Sequence, residues 1–332
     1  MEKFSQFRDK GSGIAPFLPI PTEPAGIRLP FHIFLFVCRV PLLLLFSISY
    51  FLVLQWMPIG VLGRKASLWC ILGIPGIWSL AKNSASIPRA GSVIASSSTS
   101  PIDSLYLSAI FDPIFAASYP NTRLVEPISL FTAVCRAFSY PKLNPSIRAK
   151  LVDLETYIKQ NPNRIVVVFP ECTTSNGRGI LPMSPSLLTV PPRTKVFPVS
   201  LRYTPNDIST PVPHAYFTFL WNLCSKPSHC IRIRIAEAIY NTSRRNMEQA
   251  AAKSSAYSNS HLDTSATDSA ASDADTLVGS EELEGPATRE EKMFLDKIAE
   301  ALARLGRVKR VGLGVKEKID FLEMWNKSRR RR

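Results

Sequence analysis

A long apolar stretch near the N-terminus is the feature that most constrains how this chain folds. No residue from Val40 to Gly63 carries a charge, and residues 41–57 are mostly Leu, Ile, Phe and Val. A helix needs about 17 to 25 such residues to cross a bilayer. Because the stretch is apolar on all sides, it favours a membrane helix over the alternative of a helix buried in a soluble core.

The surroundings of this stretch favour an anchor over a cleaved signal peptide. Some 30 residues with three acidic side chains precede it, and no small-residue cleavage site follows. A second apolar stretch at residues 66–80 is interrupted by Gly73-Ile74-Pro75-Gly76, and stretches this short are more often re-entrant or interfacial than spanning. We therefore predict a membrane anchor over residues 31–82, as either one span or a hairpin.

The positive charge of the chain is concentrated at its C-terminal end. Ten Lys or Arg stand against three acidic residues from Arg307 to Arg332, so this segment carries +7 of the net charge of +14. No zinc, helix-turn-helix or RNA-binding signature accompanies it, which argues against a nucleic-acid partner. Beside a membrane segment, a basic tail predicts attraction to an anionic leaflet at about 1 kcal/mol per Lys or Arg. A solvated or targeting tail is the alternative.

The cysteines show neither a metal-binding nor a disulfide pattern. The chain has six, without a CxxC pair or regular spacing: Cys38, Cys70, Cys135, Cys172, Cys224 and Cys230. We expect no metal and no cofactor, and a domain that faces the reducing cytosol.

Between the anchor and residue 241 the pattern alternates between short strands and helices. Strands are predicted at 92–96, 113–118, 164–169, 195–203 and 230–239, and helices at 104–110, 129–138 and 146–160. Such alternation predicts an α/β sheet with helices packed on it, over residues 83–241. Residues 1–30 are rich in Pro and Gly and are expected to form an extended segment.

The composition changes again after this domain. Residues 242–287 are mostly Ser, Ala, Asp, Thr and Glu, which cannot offset their ordering entropy by burial, so we predict disorder there. Met293, Phe294, Ile298 and Leu302 then form an apolar helical stripe. We expect this helix to dock back onto the domain, so that the disordered segment is an insertion and residues 288–332 form a C-terminal helix and basic tail.

A polar block at 169–178 follows the apolar run 164–168. A strand that ends in Pro, an acid, hydroxyl residues, Asn-Gly and Arg brings polar groups to the rim of a sheet. Arg178 can bind a phosphate with two hydrogen bonds, and Glu171 can orient it. Additional donors for an anion are predicted at Thr173, Thr174 and Asn176. The alternative is a surface loop with a single ion pair.

This block resembles the Phe-Pro-Glu-Gly-Thr motif of the glycerolipid acyltransferase family, with Cys172 in place of the Gly. Segments 96–107, 112–123 and 196–200 resemble three further motifs of that family, and order and spacing agree for three of the four motifs over residues 93–203. The opening 1–19, the block 173–178 and the end 321–325 together resemble its fungal lysophosphatidate:oleoyl-CoA acyltransferase branch. The resemblance covers nearly the whole chain.

The resemblance implies acyl-CoA as co-substrate, a lysophospholipid as acceptor, and a membrane location at the endoplasmic reticulum or lipid droplets. It also implies that Arg123 helps to hold the phosphate and that Pro198 belongs to a strand at the acyl-donor site. In the family's first motif, a His and an Asp separated by four residues supply the general base and its orienting carboxylate. The corresponding residues here are Ser98 and Asp103.

The missing His leaves three interpretations open. None of the four histidines, His214 and His229 included, has an Asp five positions on. A Ser hydroxyl cannot act as a general base near neutral pH, so the chain uses another base, relies on positioning and oxyanion stabilisation, or is inactive. Asp103 alone is also explained as the capping residue of a helix.

The sequence thus predicts an acyl-CoA-dependent acyltransferase that esterifies lysophosphatidate or a related lysophospholipid. The alternative is a catalytically silent lipid-binding or trafficking protein on the same scaffold.

Overall fold

A computed structural model describes residues 2–22, 24, 26–54, 60–81, 87–243 and 288–330. The main sheet has seven strands in the order β1-β8-β7-β2-β5-β3-β4. Strands β3 and β4 are antiparallel, as are β7 and β8, and the other neighbours are parallel. The strands of this sheet are β1 (Ile77–Ala81), β2 (Val93–Ser96), β3 (Ile114–Ala117), β4 (Glu126–Ile128), β5 (Val166–Val168), β7 (Val196–Thr204) and β8 (His229–Ile235).

Helices pack on both faces of the sheet, which confirms the predicted α/β architecture. Successive residues of a strand point to opposite faces. Accordingly Ile94 lies in one apolar core with α2, α3 and α6, while Val93 and Ala95 lie in a second core with α5 and α7. The helices are α1 (Leu29–Ser49), α2 (Val61–Gly73), α3 (Pro101–Phe111), α4 (Leu130–Arg136), α5 (Leu154–Gln160), α6 (Tyr216–Ser225), α7 (Arg289–Gly306) and α8 (Val315–Arg330). A small parallel pair, β6 (Gly179–Ile180) and β9 (Lys309–Arg310), lies apart from the main sheet.

The first apolar stretch forms one long helix. Within the part of the chain that the structure describes, Gly26–Leu54 is the one helix that is long and apolar enough to cross a membrane. Inside α1, the Arg39 guanidinium donates to the carbonyls of Lys226, 2.5 Å away, and Pro227, 3.0 Å away. The Phe36 ring lies 5.1 Å from the Trp221 ring of α6. The helix is therefore held along one side of the domain, while Phe34, Val37 and Leu45 remain exposed.

The second apolar stretch belongs to the domain. Helix α2 has 13 residues and buries Leu68, Ile71 and Leu72 in the core that also holds α3. Residues 77–81 then form β1, the edge strand beside β8. The segment expected to be an anchor therefore contains one long apolar helix, a core helix and a strand of the sheet.

The predicted helix 146–160 is wrong in its first half. Helix α5 begins at Leu154, and Ile147 is fully exposed. The amide and carbonyl of Val152 both bond with the backbone of Val125, at 2.9 Å. This β-bridge uses the groups that a helix would need, so the helix begins only after it.

The C-terminal region contains two helices. Helix α7 begins with a capping box between Thr288 and Glu291 and buries Phe294, Ile298 and Leu302, as predicted, whereas Met293 is exposed. Of the expected disordered insertion 242–287, residues 244–287 lie outside the described residues.

Both ends of the chain meet on the surface of the domain. Phe4, Phe7 and Phe17 of the N-terminal segment pack against Phe321 and Trp325 of α8. We call these five residues the aromatic clasp. Phe321 is completely buried within it. The clasp holds α8 and the N-terminal segment together beside the polar block.

Candidate active site

A small polar cavity lies where β2, β3 and β5 end. In a sheet of this kind, the crevice at the carboxyl ends of the parallel strands is where ligands bind. The cavity measures about 100 Å³, and hydroxyl groups from four segments face it. Its lining includes Ser98, Ser100, Ser104, Ser118, Ser139, Cys172, Thr173 and Thr174. The structure thus brings the two sequence motifs around Ser98 and Thr173 to one site.

Two cations that the sequence analysis missed also line this cavity. They are Arg136, in the last turn of α4, and Lys142. The Arg136 guanidinium lies 4.9 Å from the centre of the Tyr119 ring and donates to its hydroxyl at 3.0 Å. It also lies 3.6 Å from the Glu126 carboxylate. No sequence pattern could have identified Arg136, because its position depends on how α4 packs over the strand ends.

The Glu171 carboxyl lies behind the cavity rather than in it. It is fully buried and accepts hydrogen bonds from the backbone amides of Ser98, at 3.3 Å, and Leu181, at 3.4 Å. Burial raises the pKa of Glu171 to about 8. The side chain is therefore largely protonated at neutral pH. It connects the two motifs and positions Ser98.

Asp103 has the capping role that was left open as an alternative. Its carboxylate accepts hydrogen bonds from the amides of Thr99, at 2.7 Å, and Ser100, at 2.9 Å, and Ser100 caps α3 in return. The Tyr203 hydroxyl donates to its other oxygen. Asp103 does not line the cavity. A capping box of this type satisfies the free amides at the start of a helix.

We expect Tyr203→Phe to destabilise the fold in a pH-dependent way. Burial raises the pKa of Asp103 to about 6, whereas the Tyr203 hydroxyl opposes that rise. As the pH rises, Asp103 loses its proton in the unfolded chain before it does so in the folded protein. The free energy of unfolding therefore decreases between about pH 4 and about pH 6. A hydrogen bond to an ionised group contributes about 1.5 to 3 kcal/mol, so the loss should be largest above about pH 6.

Thermal unfolding of the purified protein in detergent at about pH 5 and about pH 8 measures this effect. Tyr157→Phe, which removes a partly buried hydroxyl that donates to the Phe115 carbonyl, is the control. An equal loss of unfolding temperature at both pH values in Tyr203→Phe would contradict the role given to this hydroxyl.

A buried lysine from the C-terminal helix adjoins the site. Lys318 of α8 is fully buried, and its amine lies 2.9 Å from the Thr173 hydroxyl, 2.6 Å from the Thr174 carbonyl and 3.1 Å from the Thr174 hydroxyl. Burial lowers the pKa of Lys318 to about 7. A charged amine in such a site is costly unless it is paired. Sequence patterns placed this residue only in the basic tail, 145 positions away from Thr173.

This amine donates to three acceptors, which match the three hydrogens of its charged form. The Thr174 hydroxyl donates to the Thr210 carbonyl at 2.7 Å, so it can only accept from Lys318. The Thr174 carbonyl also accepts. When the amine loses a proton, its two remaining hydrogens serve these two groups, and its lone pair becomes available to the hydrogen of the Thr173 hydroxyl. Thr173 lines the cavity, so its hydroxyl connects the amine to the cavity.

Two of the predicted anion-binding residues face away from the cavity. The Asn176 side-chain amide donates to the carbonyls of Ala15, at 2.7 Å, and Leu18, at 2.9 Å, so it holds the N-terminal segment. Arg178 is exposed and does not line the cavity. Glu171 does not touch its guanidinium among the described contacts, because the turn at Gly177, with a φ of 70°, directs the chain away.

Arg123 and Pro198 also lie outside the cavity lining. Arg123 forms a bidentate ion pair with Glu291 at the start of α7, with nitrogen–oxygen distances of 2.7 and 3.2 Å. Pro198 is buried within the sheet beside Ala95, and its carbonyl accepts a hydrogen bond from the Ala236 amide. In this structure both residues make contacts that support the fold.

Cys172 explains why a glycine suits this position of the motif. Its φ is 59°, in the left-handed region that glycine adopts without strain. Burial raises the pKa of the thiol to about 11, so it stays protonated and is a poor nucleophile.

The described histidines lie outside the polar cavity. His229 is buried, and its Nε2 contacts the Leu223 carbonyl at 2.9 Å. His214 is exposed and packs against the rings of Tyr140 and Tyr216. Among the described residues, no histidine and no carboxylate lines the polar cavity.

An apolar cavity of about 430 Å³ lies beside the polar one. Helices α3 and α4 line both: Ser104 and Arg136 face the polar cavity, while Ile102 and Val134 face the apolar one. Its other wall includes Leu43 and Ile48 of α1 and Phe51 just after that helix. The site therefore has a polar, cationic part and an apolar part that extends toward the long apolar helix.

Comparison with known proteins gives two fungal relatives. No protein-family model matches the chain. A protein of Schizosaccharomyces pombe is 28% identical over 258 residues, which cover 71% of this chain and 84% of the relative. Its assigned name is lysophosphatidic acid:oleoyl-CoA acyltransferase. Lysophosphatidic acid:oleoyl-CoA acyltransferase 1 of Saccharomyces cerevisiae is 28% identical over 189 residues, which cover 55% of this chain and 61% of the relative. These matches confirm the resemblance inferred from the motifs: the chain is similar, over most of its length, to fungal proteins named as lysophosphatidic acid:oleoyl-CoA acyltransferases.

Proposed function

We propose that this protein is an acyl-CoA-dependent acyltransferase that esterifies lysophosphatidate or a related lysophospholipid. The observation that carries the proposal is the pair of adjoining cavities. Arg136 and Lys142 in the polar cavity suit a phosphate, and the apolar cavity suits an acyl chain. The names of the two relatives support this activity and not the alternative of a silent lipid-binding protein.

The reaction needs a group that accepts the proton of the attacking hydroxyl, because a hydroxyl of high pKa is a poor nucleophile. We assign this role to Lys318 acting through Thr173. The lysolipid hydroxyl gives its proton to the Thr173 oxygen as its own oxygen attacks the thioester carbonyl. Thr173 passes its proton to the neutral Lys318 amine. The tetrahedral intermediate then collapses, the carbon–sulfur bond breaks, and coenzyme A leaves as a thiolate.

Hydroxyl donors around the cavity complete the proposed mechanism. Ser98, Ser100 and Ser118 line the same cavity and can donate hydrogen bonds to the oxyanion. A donor aimed at the developing charge contributes about a hundred to a thousandfold in rate. Ser98, in the place where the resemblance expects a His, is therefore a positioning and donor residue in this proposal, and no metal takes part.

The proposal also includes a location. Helix α1 has the length and apolar surface of a membrane helix and forms one wall of the apolar cavity. A lysolipid could therefore reach the site from the bilayer. We propose that the protein is in the endoplasmic reticulum or on lipid droplets, with its α/β domain in the cytosol, where acyl-CoA is available.

Purified protein in detergent should transfer radiolabelled oleate from oleoyl-CoA to lysophosphatidate. Arg136→Gln should raise the Michaelis constant for lysophosphatidate by about 10- to 100-fold, since a charge-assisted contact contributes about 1.5 to 3 kcal/mol. Arg148→Gln removes an exposed cation that does not line the cavity and is the control. No transfer by the folded wild type to any lysophospholipid would refute the proposed activity, and an unchanged constant in Arg136→Gln would refute the phosphate site.

A further inference from the structure

One face of the main sheet is open at the β1 edge. Paired residues of neighbouring strands point to the same face. Trp78 pairs with Cys230 and Leu80 with Arg232, and Arg232 pairs in turn with Arg202. The opposite face of these strands carries Ile77, Ile231 and Ile233, which lie in the core. The open face therefore combines two large apolar side chains with a group of arginines.

The apolar side chains of this face are largely exposed to solvent. Trp78 is 70% exposed and Leu80 is 60% exposed, on an edge strand. Tryptophan is enriched where protein meets the headgroup region of a bilayer. Two such side chains beside each other on a water-exposed sheet need a partner that accepts apolar surface.

Four arginines lie together beside these side chains. Arg202 and Arg232 are directly opposite each other, an arrangement that destabilises a strand pair. Arg202 donates to the Gly306 carbonyl at 2.6 Å and Arg234 to the Leu305 carbonyl at 2.8 Å, so the end of α7 holds them in place. Burial, and then the nearby charges of Arg234, Arg232 and Arg307, lower the pKa of Arg202. Among the described residues no carboxylate pairs with any of the four.

The apolar helix α1 packs on the opposite, core face of the sheet and reaches the β1 edge. Arg39 of α1 contacts the Pro75 carbonyl, two residues before β1, and the carbonyls of Lys226 and Pro227, just before β8. The exposed apolar surface of α1 and the exposed Trp78 and Leu80 therefore belong to neighbouring elements.

We propose that this face, defined by Trp78, Leu80, Arg202, Arg232, Arg234 and Arg307, is a second membrane contact that binds anionic lipid headgroups. Trp78 and Leu80 enter the headgroup region, and the arginines bind lipid phosphates. Charge complementarity selects this occupant, because four unpaired cations beside two apolar side chains match an anionic bilayer surface. The contact is separate from acyl transfer and sets the orientation of the domain relative to the membrane surface.

The test uses full-length protein in lipid nanodiscs that carry a headgroup-level spin-labelled lipid, which quenches tryptophan emission. The difference between wild type and Trp78→Phe isolates the emission of Trp78. In discs with phosphatidate or phosphatidylserine, we expect quenching to remove about half or more of this emission, and we expect little quenching in phosphatidylcholine discs. High salt should reverse the quenching.

Variants separate local charge from net charge. Arg232→Gln with Arg307→Gln removes two cations that make no hydrogen bond from their side chains among the described contacts, and it should abolish the lipid-dependent quenching. Lys292→Gln with Lys297→Gln removes the same charge from exposed positions of α7 and should preserve it. Equal thermal unfolding temperatures verify that all variants fold.

Three results would overturn the proposal. Equal quenching in neutral and anionic discs would show an apolar contact without headgroup selection. Absence of quenching in both would show that Trp78 stays in water. A response of Trp78 to soluble coenzyme A in phosphatidylcholine discs would show that the arginines bind a nucleotide polyphosphate instead.

Discussion

Thr173→Val should lower the turnover of acyl transfer by about a hundred to ten-thousandfold, the usual contribution of a general base. The substitution keeps the shape of the side chain and removes the hydroxyl that lies 2.9 Å from the Lys318 amine. Without that hydroxyl, the proton of the attacking lysolipid has no path to the amine. Thr173→Ser retains a hydroxyl and should recover most of the activity.

The pH dependence of turnover distinguishes a proton relay from a structural role. Burial lowers the pKa of Lys318 to about 7, and only the neutral amine can accept a proton. Wild-type turnover should therefore rise with pH through about 7 and then level off, whereas the remaining turnover of Thr173→Val should lack this rise. A folded Thr173→Val protein with wild-type turnover and an unchanged pH profile would exclude the relay.

Phe321→Ala should lower the free energy of unfolding by about 3 to 5 kcal/mol, the usual cost of removing a fully buried Phe side chain. Its ring contacts Phe4, Phe7 and Phe17, with centroids 5.4 to 6.1 Å away, so the substitution opens the centre of the aromatic clasp. Lys318 lies one turn earlier on the same helix. Acyl transfer should therefore fall as well, because the helix that positions the amine is loosened.

Denaturant unfolding in detergent measures the first effect, and oleate transfer measures the second. Glu323→Ala, an exposed position on the same helix, should change stability by less than about 0.5 kcal/mol. Loss of activity in Phe321→Ala without loss of stability would show that the clasp acts only on the site. Unchanged stability and activity would show that α8 does not depend on the clasp.

Local patterns of the chain were sufficient to predict most of the elements. The strand runs at 92–96, 164–169 and 195–203 correspond to β2, β5 and β7, because a central parallel strand is apolar along its whole length. The prediction of a helix at 146–160 was wrong in its first half, because the bridge between Val125 and Val152 is a long-range contact that local periodicity cannot reveal. The sequence likewise placed residues 66–80 at a membrane as one stretch, whereas packing buries Leu68, Ile71 and Leu72 in the core and leaves Trp78 and Leu80 exposed.

The candidate site, like the fold, was predicted from the sequence only in part. The polar blocks around Ser98 and Thr173 were predicted from strand ends and motif resemblance, and they do meet in one cavity. Arg136 and Lys318 were missed, and Asn176 and Arg178 were predicted to bind an anion although they face elsewhere. Arg136, Lys318 and Asn176 depend on how α4, α8 and the N-terminal segment pack over the strand ends, and Arg178 depends on the turn at Gly177.

The sequence by itself determined the α/β sheet, the long apolar helix and the place of the polar blocks at strand ends, because these follow from residue type and short-range periodicity. Only the tertiary structure decided which side chains share the cavity. Lys318 and Thr173 are 145 residues apart and meet through the aromatic clasp. Burial of that amine, which sets its protonation, arises from packing between the two ends of the chain and is therefore invisible in any local stretch of sequence.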